Sequence, residues 1–234
     1  MLEWYAKHGR DLPWRRTGDP YSILVSEVML QQTQASRVVP RYLAWLERWP
    51  TAHALAAAST ADVIREWQGL GYNRRALNLQ RAARQVVRDG WPGDLTELPG
   101  VGPYTAAAVA CFALGRPVLP EDVNVRRVRD RTGNEFDHTC AQALMDLGAT
   151  ICIARVPRCG ACPLSSACPS RGLRYEPERK QPPFEGSFRQ RRAQALRLVA
   201  EAPRPLAEVD LEAVESLRRD ELVLVEDELV RLPS

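Results

Sequence analysis

Four of the chain's six cysteines crowd into residues 152 to 168, and this constrains the fold more than any other feature of the sequence. In the spacing Cys152-x6-Cys159-x2-Cys162-x5-Cys168, the four thiols oblige that stretch to curl around one point. Soft thiolates suit zinc or an iron–sulfur cluster. A structural zinc site usually shows two short C-x2-C knuckles and only one is present, so spacing leaves both metals open. Disulfides are the poorer reading. The opening MLEWYAKHGRDLPWRR is charged and aromatic, with neither the apolar stretch nor the cleavage site of a secretory signal. The expected compartment is the cytoplasm, and the Arg- and Ala-rich composition points to a bacterium. With no fifth polar ligand beside the four cysteines, the centre reads as structural. Cys111 and Cys140 read as buried single thiols.

The hydrophobic fraction of 45% supplies an ordinary globular core. No apolar run approaches the roughly 18 residues of a membrane span. Helical spacing dominates. Ile23, Leu24, Val28, Leu30, Val38 and Val39 mark one face of residues 20 to 50, punctuated by Pro40 and Pro50. Another helix begins after Ser59-Thr60 with Val63, Ile64 and Trp67 inward, and Gly69-Leu70-Gly71 breaks it. Residues 74 to 89 form a long Arg/Ala helix ended by Gly90, Pro92 and Gly93. Further helices are predicted at 105 to 114, 124 to 131 and 139 to 150. No strand alternation precedes residue 220, so the body is all-α. Residues 176 to 188 are polar and Pro-rich, which predicts a linker. Beyond it the pattern predicts helices at about 189 to 201 and 210 to 219, then a hairpin around Glu226-Asp227, an order like that of a small winged-helix module.

Net charge is only +3, but Arg far outnumbers Lys. Arg74, Arg75, Arg81 and Arg84 form one group, and Arg126, Arg127, Arg129 and Arg131 another; each is either a set of phosphate-gripping forks or a solvated helix face. The string Leu98-Pro99-Gly100-Val101-Gly102-Pro103-Tyr104-Thr105 predicts a helix–hairpin–helix turn. Its glycines let a partner's backbone come close, and the next helix offers N–H groups to phosphate. Two carboxylates complete the pattern. Glu27 sits in an apolar helical stretch, VSEVMLQQT, and Asp122 precedes an Arg-rich helix. A carboxyl among apolar groups tends to hold a proton, and a second kept ionised can support a sugar cation, the division of labour that cleaving a glycosidic bond requires. Glu27 alone also fits a surface position on an amphipathic helix.

Taken in order, LPWR (12 to 15), SEVMLQQTQ (26 to 34), GLGY (69 to 72), LPGVGPYTA (98 to 106), D-x-NV-x-RV (122 to 128), ALMDLGA (143 to 149) and the cysteine spacing resemble the MutY family of adenine DNA glycosylases. That family lies within the helix-hairpin-helix superfamily that also holds endonuclease III. The resemblance covers about residues 3 to 175. It implies a two-lobed, all-α glycosylase fold over residues 1–175, with a helical lobe at 20–112 and a cluster lobe from 1–19 and 113–175. The linker at 176–188 and a winged-helix-like module at 189–234 would follow.

The resemblance also implies a [4Fe–4S] cluster on Cys152, Cys159, Cys162 and Cys168. It assigns Glu27 as the acid that protonates the departing purine and Asp122 as the carboxylate supporting the oxocarbenium ion, with Tyr104 and Asn124 orienting the pair. Gln32 and Tyr72 would wedge into the duplex. Arg10, Trp14, Arg15, Leu30 and Gln142 would line the pocket for the extruded base, and Gly100 and Gly102 would hold the DNA backbone. Tyr104 stands where strand-cleaving relatives carry Lys, so base removal without Schiff-base chemistry is expected. The expected partner is double-stranded DNA with a mispaired or damaged base, bound by a monomer in the nucleoid-associated cytoplasm. The sequence departs from the family at Val123, usually Gly, and at Asn73, usually aromatic. The Thr132 to Ala141 stretch is short, and so is the tail after residue 187. A different target therefore stays open (thymine or uracil opposite guanine, or hypoxanthine), as does a non-catalytic iron–sulfur DNA-binding module.

Overall fold

The structure is a computed structural model that describes residues 1–175 and 182–234. The chain is mostly helical. Compactness groups it into two units, Met1–Ile23 with Gly102–Lys180, and Leu24–Val101 with Gln181–Ser234. Among the described residues no helix is long and apolar enough to cross a membrane. Part of the expected linker, residues 176–181, lies outside the described residues, and 182–187 are irregular.

In the first unit, α1 (Leu2–His8) packs on α9 (Ala141–Thr150). α7 (Pro103–Phe112) starts at the hairpin with Pro103 at its first position, where a missing N–H costs nothing. α8 (Val123–Thr132) is capped by Asp122 and ended by left-handed Gly133. α8 and α9 pack through Val125, Val128, Leu144 and Leu147, all buried, with Cys152 and Cys162 against the same cluster. Their approach is close: a Cβ on Gly148 would fall 2.6 Å from Asn124 Cβ.

In the second unit, α3 (Ala35–Arg48) runs unbroken through Pro40. The expected stop there is corrected: the apolar face of Val38, Tyr42 and Trp45 is buried, and that packing outweighs the lost backbone bond. Trp45 meets Trp49 and Trp67 edge-on. α4 (Ala52–Ala57) packs on α6 (Arg74–Asp89), and α5 (Thr60–Glu66) buries Val63 and Ile64. α2 (Pro20–Leu30), whose residues from Leu24 on belong to this unit, is buried over most of its length.

After Ser187, which caps its helix, come α10 (Phe188–Glu201), β1 (Arg204–Pro205), α11 (Leu211–Arg219), β2 (Leu224–Glu226) and β3 (Leu229–Arg231). The sheet is antiparallel in the order β1-β3-β2. β1 corrects the expectation of no strand before residue 220; two residues are too short to leave an alternation, and Pro205 sits on its edge. Ala195, Leu196, Val199, Val214, Leu217 and Val230 share one core with Ile64 and Leu77 of α5 and α6.

Candidate active site and thiol centre

The first unit builds two polar clusters. At the N-terminus of α8, Asp122 Oδ1 accepts from the N–H groups of Asn124 (2.9 Å) and Val125 (2.7 Å), and Oδ2 accepts from Asn124 Nδ2 at 2.7 Å. The free N–H groups of a helix start favour negative charge there. Asn124 Oδ1 in turn accepts from Arg127 Nη2 at 2.6 Å. Arg127 also donates to the carbonyls of Gly148 and Cys152 at 2.7 Å each, which links Asp122 and Asn124 to the cysteine loop. Val123, between the two polar residues, is 68% exposed.

The second cluster centres on Asp146, fully buried on α9. It accepts from Arg10 N and Nε at 2.7 Å and from Arg15 Nη1 and Nη2 at 2.8 and 2.7 Å. Burial pushes its carboxyl up, but hydrogen bonds and charges from Arg15 and Arg10 outweigh that and hold it below the usual carboxylate value. Gln142, one turn earlier on α9, accepts from Tyr5 Oη at 2.6 Å, and Arg15 stacks over the Tyr5 ring. Arg10, Arg15 and Gln142 therefore gather, with Trp14 buried between the two arginines in sequence. Sequence reading missed Asp146 and Tyr5; the i, i+4 spacing of Gln142 and Asp146 on one helix was the available signal. Tyr104 is half-buried in the first turn of α7.

The four thiols of Cys152, Cys159, Cys162 and Cys168 line one cavity with Val128, Leu147 and Ile151. Burial and repulsion from the other three raise the Cys162 thiol, against a hydrogen bond from the Leu164 backbone. Among the described residues no three His, Cys, Asp or Glu side chains converge as they would on a single ion. Four thiols lining one shared, partly apolar cavity are a soft donor set suited to a thiolate-held centre. Arg131 covers the site: buried and stacked 3.8 Å from the Tyr175 ring, it donates to Ile153 O, Ala154 O and Cys152 Sγ. Cys111 and Cys140 are half-buried rather than enclosed, a correction to their reading as core thiols.

Most arginines of the two groups make contacts within the protein, several of them at its surface. Arg81 pairs with Glu221, Arg129 with Glu121 and Glu135, and Arg84 bonds the Ala56 carbonyl. Arg75, Arg127 and Arg131 serve backbone carbonyls. Arg126 remains exposed.

In the second unit, Glu27 is only 5% exposed on α2, between buried Ser26 and Val28, so the surface alternative for it does not hold. Leu30 ends that helix. Gln32 and Tyr72 both adopt left-handed backbone, φ 56° and 46°. For such side chains this costs on the order of 1–3 kcal/mol each, so their surroundings must enforce it. Both are exposed, Tyr72 by 51%. Gly100 is left-handed at φ 76°, and a Cβ there would fall 2.7 Å from Asn78 Cβ. Gly102 has an ordinary φ of −86° and open space around it. Glu27, Leu30, Gln32, Tyr72 and Gly100 belong to this unit, and the remaining candidates to the first.

Residues 25–145 match HhH-GPD, the HhH-GPD superfamily base excision DNA repair protein family. An adenine DNA glycosylase of Mycobacterium tuberculosis is 42% identical, over 95% of this chain and 88% of its own. One from Mycolicibacterium smegmatis is 43% identical over 92% of this chain and 84% of its own. The solved structure of a thermostable thymine-DNA glycosylase aligns with TM-score 0.65 at 30% identity, over 72% of this chain and 91% of that one. The chain belongs to the HhH-GPD superfamily of base excision DNA repair proteins and, within it, to the MutY-type adenine DNA glycosylase family.

Proposed function

We propose that this chain removes a mispaired adenine, opposite 8-oxoguanine or guanine in duplex DNA, by hydrolysing its N-glycosidic bond. The observation that carries the reading is similarity to adenine DNA glycosylases along nearly the whole chain. The side chains supply a consistent chemistry. Glu27 gives its proton to a ring nitrogen of the extruded adenine. The bond from the sugar C1′ to the base breaks with its electron pair leaving on the base. The Asp122 carboxylate supports the oxocarbenium ion until water adds and yields an abasic site. Glu27 is held away from water on its helix, and the bonds from Asn124 hold the Asp122 carboxylate in place. Tyr104, with Asn124, orients the pair. Tyr104 offers no amine, so no strand cleavage follows.

Arg10, Trp14, Arg15, Leu30 and Gln142 line the base pocket. Gln32 and Tyr72 fill the gap left in the stack, and Gly100 and Gly102 approach the DNA backbone. Cys152, Cys159, Cys162 and Cys168 would hold a [4Fe–4S] cluster, which when bound supplies a structural cross-link of the loop and no acid–base chemistry. The domain scheme follows the same reading: a glycosylase domain over 1–175, a linker at 176–188 and a winged-helix-like module over 189–234, working as a monomer in the nucleoid-associated cytoplasm.

An oligonucleotide panel tests this, with A, T, U and hypoxanthine opposite G and 8-oxoguanine, followed by alkali. Alkali-dependent cleavage at A is expected. Cleavage only at T, U or hypoxanthine moves the enzyme to another base, and cleavage at none leaves a DNA-binding module. Visible absorption, with iron and sulfide at about four each per chain, checks the cluster.

A further inference from the structure

One buried cation is unexplained by base chemistry. Arg75, on α6, is 9% exposed, and its acceptors are six carbonyls and one hydroxyl. They come from two stretches of the second unit, residues 28–33 and 70–72. Nη1 donates to Val28 O (2.7 Å) and Met29 O (3.1 Å), in the last turn of the helix that carries Glu27, and to Gln31 O at 2.6 Å. Nη2 donates to Thr33 Oγ1 and Leu70 O at 3.3 Å each and to Gly71 O at 2.9 Å, and Nε donates to Tyr72 O at 3.3 Å. The guanidinium also lies over the rings of Trp67 (5.3 Å) and Tyr72 (5.6 Å). Burial lowers its pKa to about 10, so it stays charged at neutral pH. The carbonyl dipoles at the end of α2 face that charge, an arrangement favourable at a helix C-terminus.

The contacts bracket both left-handed residues: Gln31 and Thr33 flank Gln32, and Gly71 O together with the carbonyl of Tyr72 itself fixes the other turn. We propose that Arg75 is a positioning residue that presets the strained turns at Gln32 and Tyr72, so that both side chains stand ready to enter a duplex before DNA arrives. This rests on the wedge assignment in the proposed function. Lys is no substitute, because three donors on one nitrogen cannot reach both turns in the forked geometry of Arg.

The test uses the full chain and two readouts: base removal in single turnover, and fluorescence of 2-aminopurine placed at the target position, which reports extrusion. Arg75→Lys is expected to lower extrusion and base removal by about tenfold or more, as displaced positioning groups do. Thr33→Val, which keeps shape and removes one Arg75 acceptor together with the hydroxyl's own contacts to Gln31 O and Leu70 O, is expected to cause a smaller loss in the same direction and guards against a misfolded Arg75→Lys. Both effects should vanish in a Gln32→Ala/Tyr72→Ala background, because a residue acting only through the wedge has nothing left to act on. Equal losses in both backgrounds overturn the proposal, as does an unchanged Arg75→Lys enzyme. A Gln32→Ala/Tyr72→Ala enzyme that extrudes normally overturns it too, while leaving base removal standing. Failure of the unsubstituted chain on every duplex in the panel defeats the functional reading instead.

Discussion

Asp122 serves its helix and is assigned to the reaction, and two substitutions separate these duties. Asn is as good an N-cap as Asp, so Asp122→Asn keeps the cap bonds from Asn124 N and Val125 N while removing the charge and the oxygen that accepts from Asn124 Nδ2. Its melting temperature should match the parent while base removal falls at least a hundredfold, with duplex binding retained in a gel shift. Asp122→Ala should in addition lose about 1 kcal/mol of stability. Glu27→Gln should match the rate loss; near-parental release of adenine from it would remove Glu27 as the acid. Asp146 provides a test with pH. Its folded pKa lies below the ordinary carboxylate value, so its stabilisation is complete above about pH 4 and fades as pH falls further. Asp146→Asn leaves Arg10 and Arg15 facing a neutral amide. It should melt below the parent at pH 7, and thermal scans should show that gap closing as pH drops below about 4.

At the level of elements, the two glycines of the hairpin make opposite demands. Gly100 is required by its own backbone: φ is +76° and Asn78 blocks a Cβ. Gly100→Ala should cost 1 kcal/mol or more, read by chemical denaturation. Gly102 is required by nothing inside the protein, since φ is −86° and its surroundings are open. Gly102→Ala should leave stability unchanged and weaken duplex binding; unchanged binding would show that no backbone of DNA comes close there. The sequence made α6 legible to the residue, because a sustained apolar period ends at Gly90, and α5 legible through its Ser59 cap. It hid α1 and α4, too short for a period to register, and β1, which depends on pairing with distant β3. In the candidate site, Glu27 could be singled out from sequence as a carboxyl in an apolar helical stretch, although its burial could not. The partners of Asp146 and Arg75 could not be read either, since they lie far along the chain and a buried Arg bonded to carbonyls leaves no charge pattern.

Across the whole molecule, charge is distributed unevenly. Residues 182–234 carry eleven Asp and Glu against eight Arg, while the chain as a whole is +3, so the positive surplus precedes them. Most of those arginines are paired: Arg191 with Asp210 and Glu212, Arg192 with Asp220, Arg218 and Arg219 with Glu215, and Arg231 with Glu226. The turn between β2 and β3 is acidic at Glu226, Asp227 and Glu228. Phosphate neutralisation sets the salt dependence of DNA affinity, and a region with this balance adds little to it. What the region does supply is burial, since Ile64 and Leu77 share its core. The two contributions can be measured separately. Replacing exposed Arg197 and Arg219 by Gln should leave the slope of log affinity against log salt unchanged; a slope shallower by about one unit per Arg would place phosphates there. Replacing Leu217 by Ala, at a fully buried position of the same core, should destabilise by about 2–5 kcal/mol and lower the melting temperature without altering that slope.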